Sequence, residues 1–191
     1  MRKPRLMTPG PAMVPEDVLL ELARPVIHHR SDEAKQVIVE VAEGLKEVFQ
    51  TKNDVMILTS SGTGAMEAAV VNVVPPGGKA IILNAGHFAA RWGAICKAFG
   101  IVAVSVDTEW GKPVDPARVE EALKQHPDAV AVFGTLSETS TGTGHPVKEI
   151  GEVVARTDAV FVVDGISGVG AMECRQDEWK IDVLCAGSQK A

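Results

Sequence analysis

Tyrosine is absent from this chain, and only five phenylalanines and three tryptophans supply aromatic rings. Any aromatic placed at a strand end is therefore informative. Positive charge is also short: 19 Lys and Arg face 25 Asp and Glu, giving a net charge of -6. A sequence pI near 5.4 argues against a nucleic-acid footprint, which is usually basic. Small anionic ligands stay possible, because local backbone groups bind them whatever the global charge. Cysteine is limited to Cys96, Cys174 and Cys185, an odd number with no Cys-x-x-Cys pair. Neither a zinc knuckle nor a disulfide framework is expected. Three reduced thiols acting as small buried residues in a cytoplasmic protein are. No apolar run of about 18 residues occurs, so no membrane span is expected. The basic start Met1-Arg2-Lys3-Pro4-Arg5-Leu6 is broken early by Pro9, Gly10, Pro11 and Pro15, which is unlike a signal peptide.

What is present is ample core material. Hydrophobic residues make up 46% of the 191 residues and charged ones 23%, the balance of a folded single domain. The proline-rich opening, through about Arg30, reads as an extended arm with a short helix near Glu16–Ala23. Ser31 or Asp32 caps a longer helix whose Ala34, Val37, Ile38, Val41, Leu45 and Val48 follow the helical period. Beyond it, strand and helix patterns alternate. β-branched runs lie at Val55–Leu58, Ala80–Leu83, Ile101–Val106, Ala129–Phe133, Ala159–Val163 and Ile181–Cys185. They lack period-2 alternation, as strands buried on both faces do. Helical patterns fall near Gly64–Val73, Phe88–Phe99, Pro116–Gln125 and Val147–Arg156. Pro116 and Pro146 suit a first helical turn, and Gly100 suits a left-handed helix end. The expected fold is α/β: a mainly parallel sheet with helices on both faces. Ligands of such sheets bind in the loops after the strands.

Those loops carry chemistry. Thr59-Ser60-Ser61-Gly62-Thr63-Gly64 opens directly into a helix, whose free N–H groups and positive dipole end suit a phosphate. No Gly-Lys-Ser/Thr follows, so it is not a P-loop; an ordinary capped turn has the same composition. Asn84-Ala85-Gly86-His87-Phe88 offers Phe88 as a ring to stack on a planar ligand or as an anchor for the next helix. His87 is either a surface histidine or an acid–base group. Thr135-Leu136-Ser137-Glu138-Thr139-Ser140-Thr141-Gly142 is a dense hydroxyl loop with one carboxylate, explicable by turn chemistry or as donors to a polar ligand. Asp164 ends a buried run, where an ionised carboxylate is costly without a donor or cation. It caps the following turn or faces a protonated ring nitrogen. A metal is disfavoured because no other Asp, Glu or His lies nearby at ligand spacing. Lys190 follows the last run as a solvated lysine or as an amine nucleophile.

One ligand reconciles these loops. Pyridoxal 5'-phosphate (PLP) has a phosphate, a planar ring, a phenolic oxygen, a pyridine nitrogen and an aldehyde. A Lys imine with an Asp partner for the ring nitrogen is the pairing PLP proteins use. The same residues carry a family resemblance through nearly the whole chain. They are Thr8-Pro9-Gly10-Pro11, His28-His29-Arg30, Ser61-Gly62-Thr63 with Glu67-Ala68-Ala69, and Ser137-Glu138-Thr139-Ser140-Thr141-Gly142. Val163-Asp164-Gly165-Ile166-Ser167 and, most specifically, Gly187-Ser188-Gln189-Lys190-Ala191 complete the set. In these the chain resembles class V, fold-type I PLP enzymes, most closely the alanine–glyoxylate and serine–pyruvate aminotransferases.

The resemblance implies roles. Lys190 is the catalytic residue, carrying PLP as a Schiff base and moving the substrate proton. Asp164 keeps the pyridine nitrogen protonated. Ser61, Gly62 and Thr63 hold the phosphate with Gln189, Phe88 stacks on the ring where relatives often have Trp, and Thr139 lies near the phenolic oxygen. The reaction implied moves an amino group from a small amino acid, alanine or serine, to a 2-oxo acid, glyoxylate or pyruvate. A homodimer is implied, with an arm at 1–30 and a PLP-binding large domain at 31–191. The family continues past this point with a substrate-binding arginine, so the chain is expected to be part of a longer enzyme. Alternatives are a 2-aminoethylphosphonate-type transaminase and a non-catalytic hydrogenase-associated subunit of the same fold. Cysteine desulfurases, with His before the lysine where Gln189 stands, fit less well.

Overall fold

The computed structural model describes residues 5–190; Ala191 and the first four residues of the arm lie outside them. The arm leads into α1 (Glu16–Leu22) and then α2 (Asp32–Phe49). Ser31 caps α2 by accepting a hydrogen bond from the Ala34 N–H at 3.2 Å, and Asp32 and Glu33 sit in its positive first turn. The alternating part follows as α3 (Gly62–Val73), β1 (Lys79–Asn84), α4 (Ala89–Ala98), β2 (Val102–Asp107) and α5 (Pro116–Gln125). It continues with β3 (Ala129–Thr135), the short hairpin β4 (Ser137–Glu138) and β5 (Thr143–Gly144), α6 (Val147–Val154), β6 (Val160–Asp164) and β7 (Val183–Cys185). Asp115 caps α5 with Pro116 in its first turn, and Gly100 has φ 70 just beyond α4, as the sequence predicts.

The main sheet has the order β2-β1-β3-β6-β7, and every pair is parallel. β1, β3, β6 and β7 feed both faces, which removes the period-2 signal, while the edge strand β2 buries only Val106 and is otherwise largely exposed. Ala80 and Ile82 of β1 pack with Met66 and Val70 of α3 and Trp92 and Ile95 of α4. Ile81 and Leu83 pack on the other face with Val119 and Leu123 of α5 and Ile150 and Val154 of α6. Trp92 is wholly buried. Its ring centre lies 4.8 Å from that of Phe133, and its indole N–H donates to the Gly134 carbonyl at 3.0 Å, so no polar atom of the ring is stranded.

Two expectations change. The run Val55–Leu58 forms no strand. A strand exists only by pairing, and this segment has no partner among the described residues. Met56, Ile57 and Leu58 stay exposed. The helical period of α2 is correct, but Val37, Ile38, Val41 and Val48 are exposed and only Ala34 is buried. Periodicity reports a helix and its apolar stripe, not what covers the stripe.

Because all five strands run the same way, their C-terminal ends share one edge. Register pairs Asn84 with Asp107, Thr135 with Asp164, and Asp164 with Cys185. The loops that follow these residues are thus brought side by side.

Candidate active site

The start of α3 forms one wall. Its N-cap, Ser61, makes no side-chain cap hydrogen bond. Among the described residues, Gly62 and Thr63 donate their N–H groups to no backbone or side-chain partner. An uncapped first turn with open donors is an anion seat. Gly62 is glycine for a reason of contact: an added Cβ would stand 2.8 Å from Cγ1 of Ile166. The α3 start is thereby pressed against the loop after β6.

That loop carries Asp164, which is buried. Its Oδ1 accepts from the Ile166 N–H at 2.9 Å. Burial pushes the Asp164 carboxyl up to about 6; the Ile166 N–H opposes this, Glu138 adds to it, and Arg91 and Lys190 oppose it. Three groups distant in sequence therefore act on one carboxylate. The hydroxyl loop reaches the same place, since Thr139 Oγ1 donates to Ser167 Oγ at 2.7 Å. Lys190 stands half-buried on the loop after β7.

Of the expected residues, Thr63 and Phe88 meet through Arg91, Gly62, next to Ser61, packs on Ile166 of the Asp164 loop, Thr139 reaches Ser167 of that same loop, and Lys190 acts on Asp164 by charge. Gln189 shares the Lys190 loop, but its side chain lies beside Gly187 and makes no hydrogen bond to the α3 start among the described residues. His87 is exposed.

Two residues were missed. Arg91 donates to Thr63 Oγ1 at 2.9 Å, and its guanidinium carbon lies 5.1 Å from the Phe88 ring centre. It ties the Phe88 ring to the α3 start while adding positive charge. Its spacing from Phe88, i to i+3 on a helix, puts the two on one face and was a readable signal. Glu138 is wholly buried. Its carboxylate accepts from the N–H of Ala89 at 2.9 Å, of Phe88 at 3.1 Å and of Ser140 at 3.0 Å. It also accepts from the Ser140 hydroxyl at 2.6 Å. Burial alone would raise the Glu138 carboxyl, but the Ser140 hydroxyl and the three N–H groups hold it below its ordinary value. Glu138 caps α4 across the chain and fixes Phe88, and an added Cβ on Gly86 would meet its Oε2 at 2.8 Å. Glu138→Ala strands those donors and is expected to lower stability by about 2 kcal/mol, read as a reduced urea midpoint at unchanged slope. An unchanged midpoint would show that Phe88 and Ala89 find other acceptors.

The family model "Aminotransferase class-V" matches residues 8–191. An uncharacterized aminotransferase of Methanocaldococcus jannaschii is 42% identical over 188 residues, covering 98% of this chain and 49% of that protein. A protein named soluble hydrogenase, small subunit, of Synechococcus is 40% identical over 191 residues, covering 98% of this chain and 50% of that protein. The crystal structure of ureidoglycine–glyoxylate aminotransferase from Bacillus subtilis superposes with TM-score 0.93 at 32% identity, covering 99% of this chain and 49% of that one. The chain spans about half the length of the relatives it matches.

Proposed function

This chain belongs to the class-V aminotransferase family, and from that premise we propose that it is the PLP-binding portion of an enzyme that moves an amino group from a small amino acid to a 2-oxo acid. The observation that carries the reading is the convergence of a lysine, a buried carboxylate and an open helix start at one sheet edge. The donor set fits PLP. Gly62 and Thr63, beside Ser61 and Arg91, offer N–H groups and positive charge to the phosphate. Asp164 offers a buried carboxylate to the ring nitrogen. Phe88 bounds one face of the ring, and Thr139 stands ready for the phenolic oxygen, with Gln189 a further contact to the phosphate. PLP, when bound, supplies the electron sink of the reaction.

The rest falls to the chain's own groups. Lys190 anchors the cofactor. With the cofactor and substrate bound, the Lys190 Nζ would be the general base that takes the proton from the substrate Cα, and the same ammonium would hold that proton for delivery as general acid. Asp164 would hold the ring nitrogen protonated by facing it as an ionised carboxylate. Alanine or serine as donor and glyoxylate or pyruvate as acceptor are the substrates proposed. The name of the Bacillus subtilis neighbour supports glyoxylate. The hydrogenase name of one relative favours a second reading, a non-catalytic subunit, but such a role gives no reason to keep Lys190 and Asp164. We assign 1–30 to an arm and 31–191 to the PLP-binding domain. A homodimer in the cytoplasm completes the proposal. The exposed apolar residues of α1 and α2 suit a subunit contact, and three buried free thiols suit a reducing compartment.

Mixing the protein with PLP and reducing with borohydride is expected to fix the cofactor on the peptide containing Lys190. Attachment to another lysine overturns the assignment. A screen of amino donors against glyoxylate and pyruvate then identifies the substrates; failure of alanine and serine together would move the choice to the phosphonate-type transaminases.

A further inference from the structure

The N-terminal arm meets the Lys190 loop at two residues, Ala12 and Gly10. The Ala12 N–H donates to the Gln189 carbonyl at 2.8 Å, which lays the arm along the Lys190 loop. The Lys190 N–H donates within its own loop to the Gly187 carbonyl at 3.3 Å. The backbone on both sides of the lysine is therefore tied down, while its side chain runs against Gly10. A Cβ added to Gly10 would stand 2.6 Å from Lys190 Nζ and 2.7 Å from its Cε. Gly10 is not in the left-handed region, so backbone conformation does not demand glycine there. The room taken by the lysine does.

We propose that Gly10 is a positioning residue for Lys190: its bare Cα forms the wall against which the lysine amine stands. The inference rests on the reading of Lys190 as the cofactor lysine. The atoms that a methyl group at position 10 would strike are the far end of a flexible side chain. Gly10→Ala therefore leaves the fold in place and moves the amine. Misplacing a reacting group by about 1 Å costs about 100-fold in rate. The change falls on kcat and on the rate of attachment to PLP, because the atoms displaced are those of the lysine.

The test uses the full protein, PLP and borohydride. Gly10→Ala is expected to slow attachment at Lys190 and to lower kcat by about 100-fold, with the thermal midpoint unchanged. Gly44→Ala, in open space on α2, is the control and keeps wild-type rates. Ala12→Pro leaves Gly10 bare but deletes the N–H tying the arm to Gln189; it is expected to slow attachment about 5-fold, the equivalent of one neutral hydrogen bond. Wild-type attachment and kcat in Gly10→Ala overturn the proposal. So does an unfolded Gly10→Ala protein, because Gly10 would then be structural. If the wild-type protein itself is labelled at a lysine other than Lys190, it is the functional reading that fails, a result visible before any variant is made.

Discussion

Lys190→Ala is expected to lower kcat by about 10²–10⁴-fold, the range supplied by a positioned proton-transfer group, and to abolish borohydride-stable attachment of PLP. On the proposed reading two roles are lost together. The amine that holds the cofactor is gone, so PLP stays only through the α3 start, Phe88 and Asp164. The base that takes the Cα proton is gone as well, and water in the vacated space is a poor substitute. Folding is not at risk. Lys190 is half-buried at the end of a loop, and its ammonium makes no hydrogen bond or ion pair among the described residues. Truncation at such a position changes stability by no more than about 0.5 kcal/mol. A small primary amine added to the variant should restore part of the proton transfer in proportion to its concentration. Retention of wild-type kcat would remove Lys190 from the mechanism, whatever its reactivity with PLP.

Much of this site was legible because Asp164, Lys190 and the hydroxyl loop follow strands, and parallel strands deliver their following loops to one edge. The carboxylate at Asp164 and the lysine at 190 could each be placed by locating the strand before it, whereas the open turn at Ser61-Gly62-Thr63 was read from its own composition and the helix after it, because the run before it forms no strand. Phe88 was legible for scarcity: few rings exist to place. What could not be read was contact across the sequence. Glu138 stood in plain view among hydroxyls, but its bonds run to Phe88 and Ala89, about fifty residues upstream, and no local pattern announces that. Arg91 shares a helix face with Phe88, but its reach to Thr63, 28 residues upstream, has no local sign in the sequence. Gly10 is the extreme case, since its contact with Lys190 spans nearly the whole chain. The missing strand at Val55–Leu58 has the same origin. Its residues have strand propensity, but propensity does not supply the neighbour that a ladder needs.

Asp164→Asn is expected to lower kcat by about 10²–10³-fold, the loss typical of one preorganised electrostatic contact, while making the cofactor-free protein more stable at neutral pH. The two effects have one cause. In the folded chain the Asp164 carboxyl is pushed from an ordinary 3.8 up to about 6, chiefly by burial. Between those values the folded state keeps a proton that the unfolded state has released. Stability contributed by Asp164 therefore falls as pH rises from 3.8 to about 6, and the full penalty stands above 6. The gap corresponds to about 3 kcal/mol. Asparagine keeps an oxygen for the Ile166 N–H and carries no charge, so the penalty and its pH slope both vanish. Unfolding the PLP-free wild type and variant in urea at pH 5 and pH 8 checks this directly. The wild type should lose stability relative to Asp164→Asn on going to pH 8, and a constant difference would refute the burial argument. The bound cofactor reverses the balance. On the proposed reading a protonated ring nitrogen would give the buried carboxylate a contact cation beyond the charges of Arg91 and Lys190, which would account for a residue that weakens the empty protein at this edge of the sheet. PLP should accordingly raise the thermal midpoint of the wild type more than that of Asp164→Asn. Equal shifts would mean that Asp164 does not face the ring.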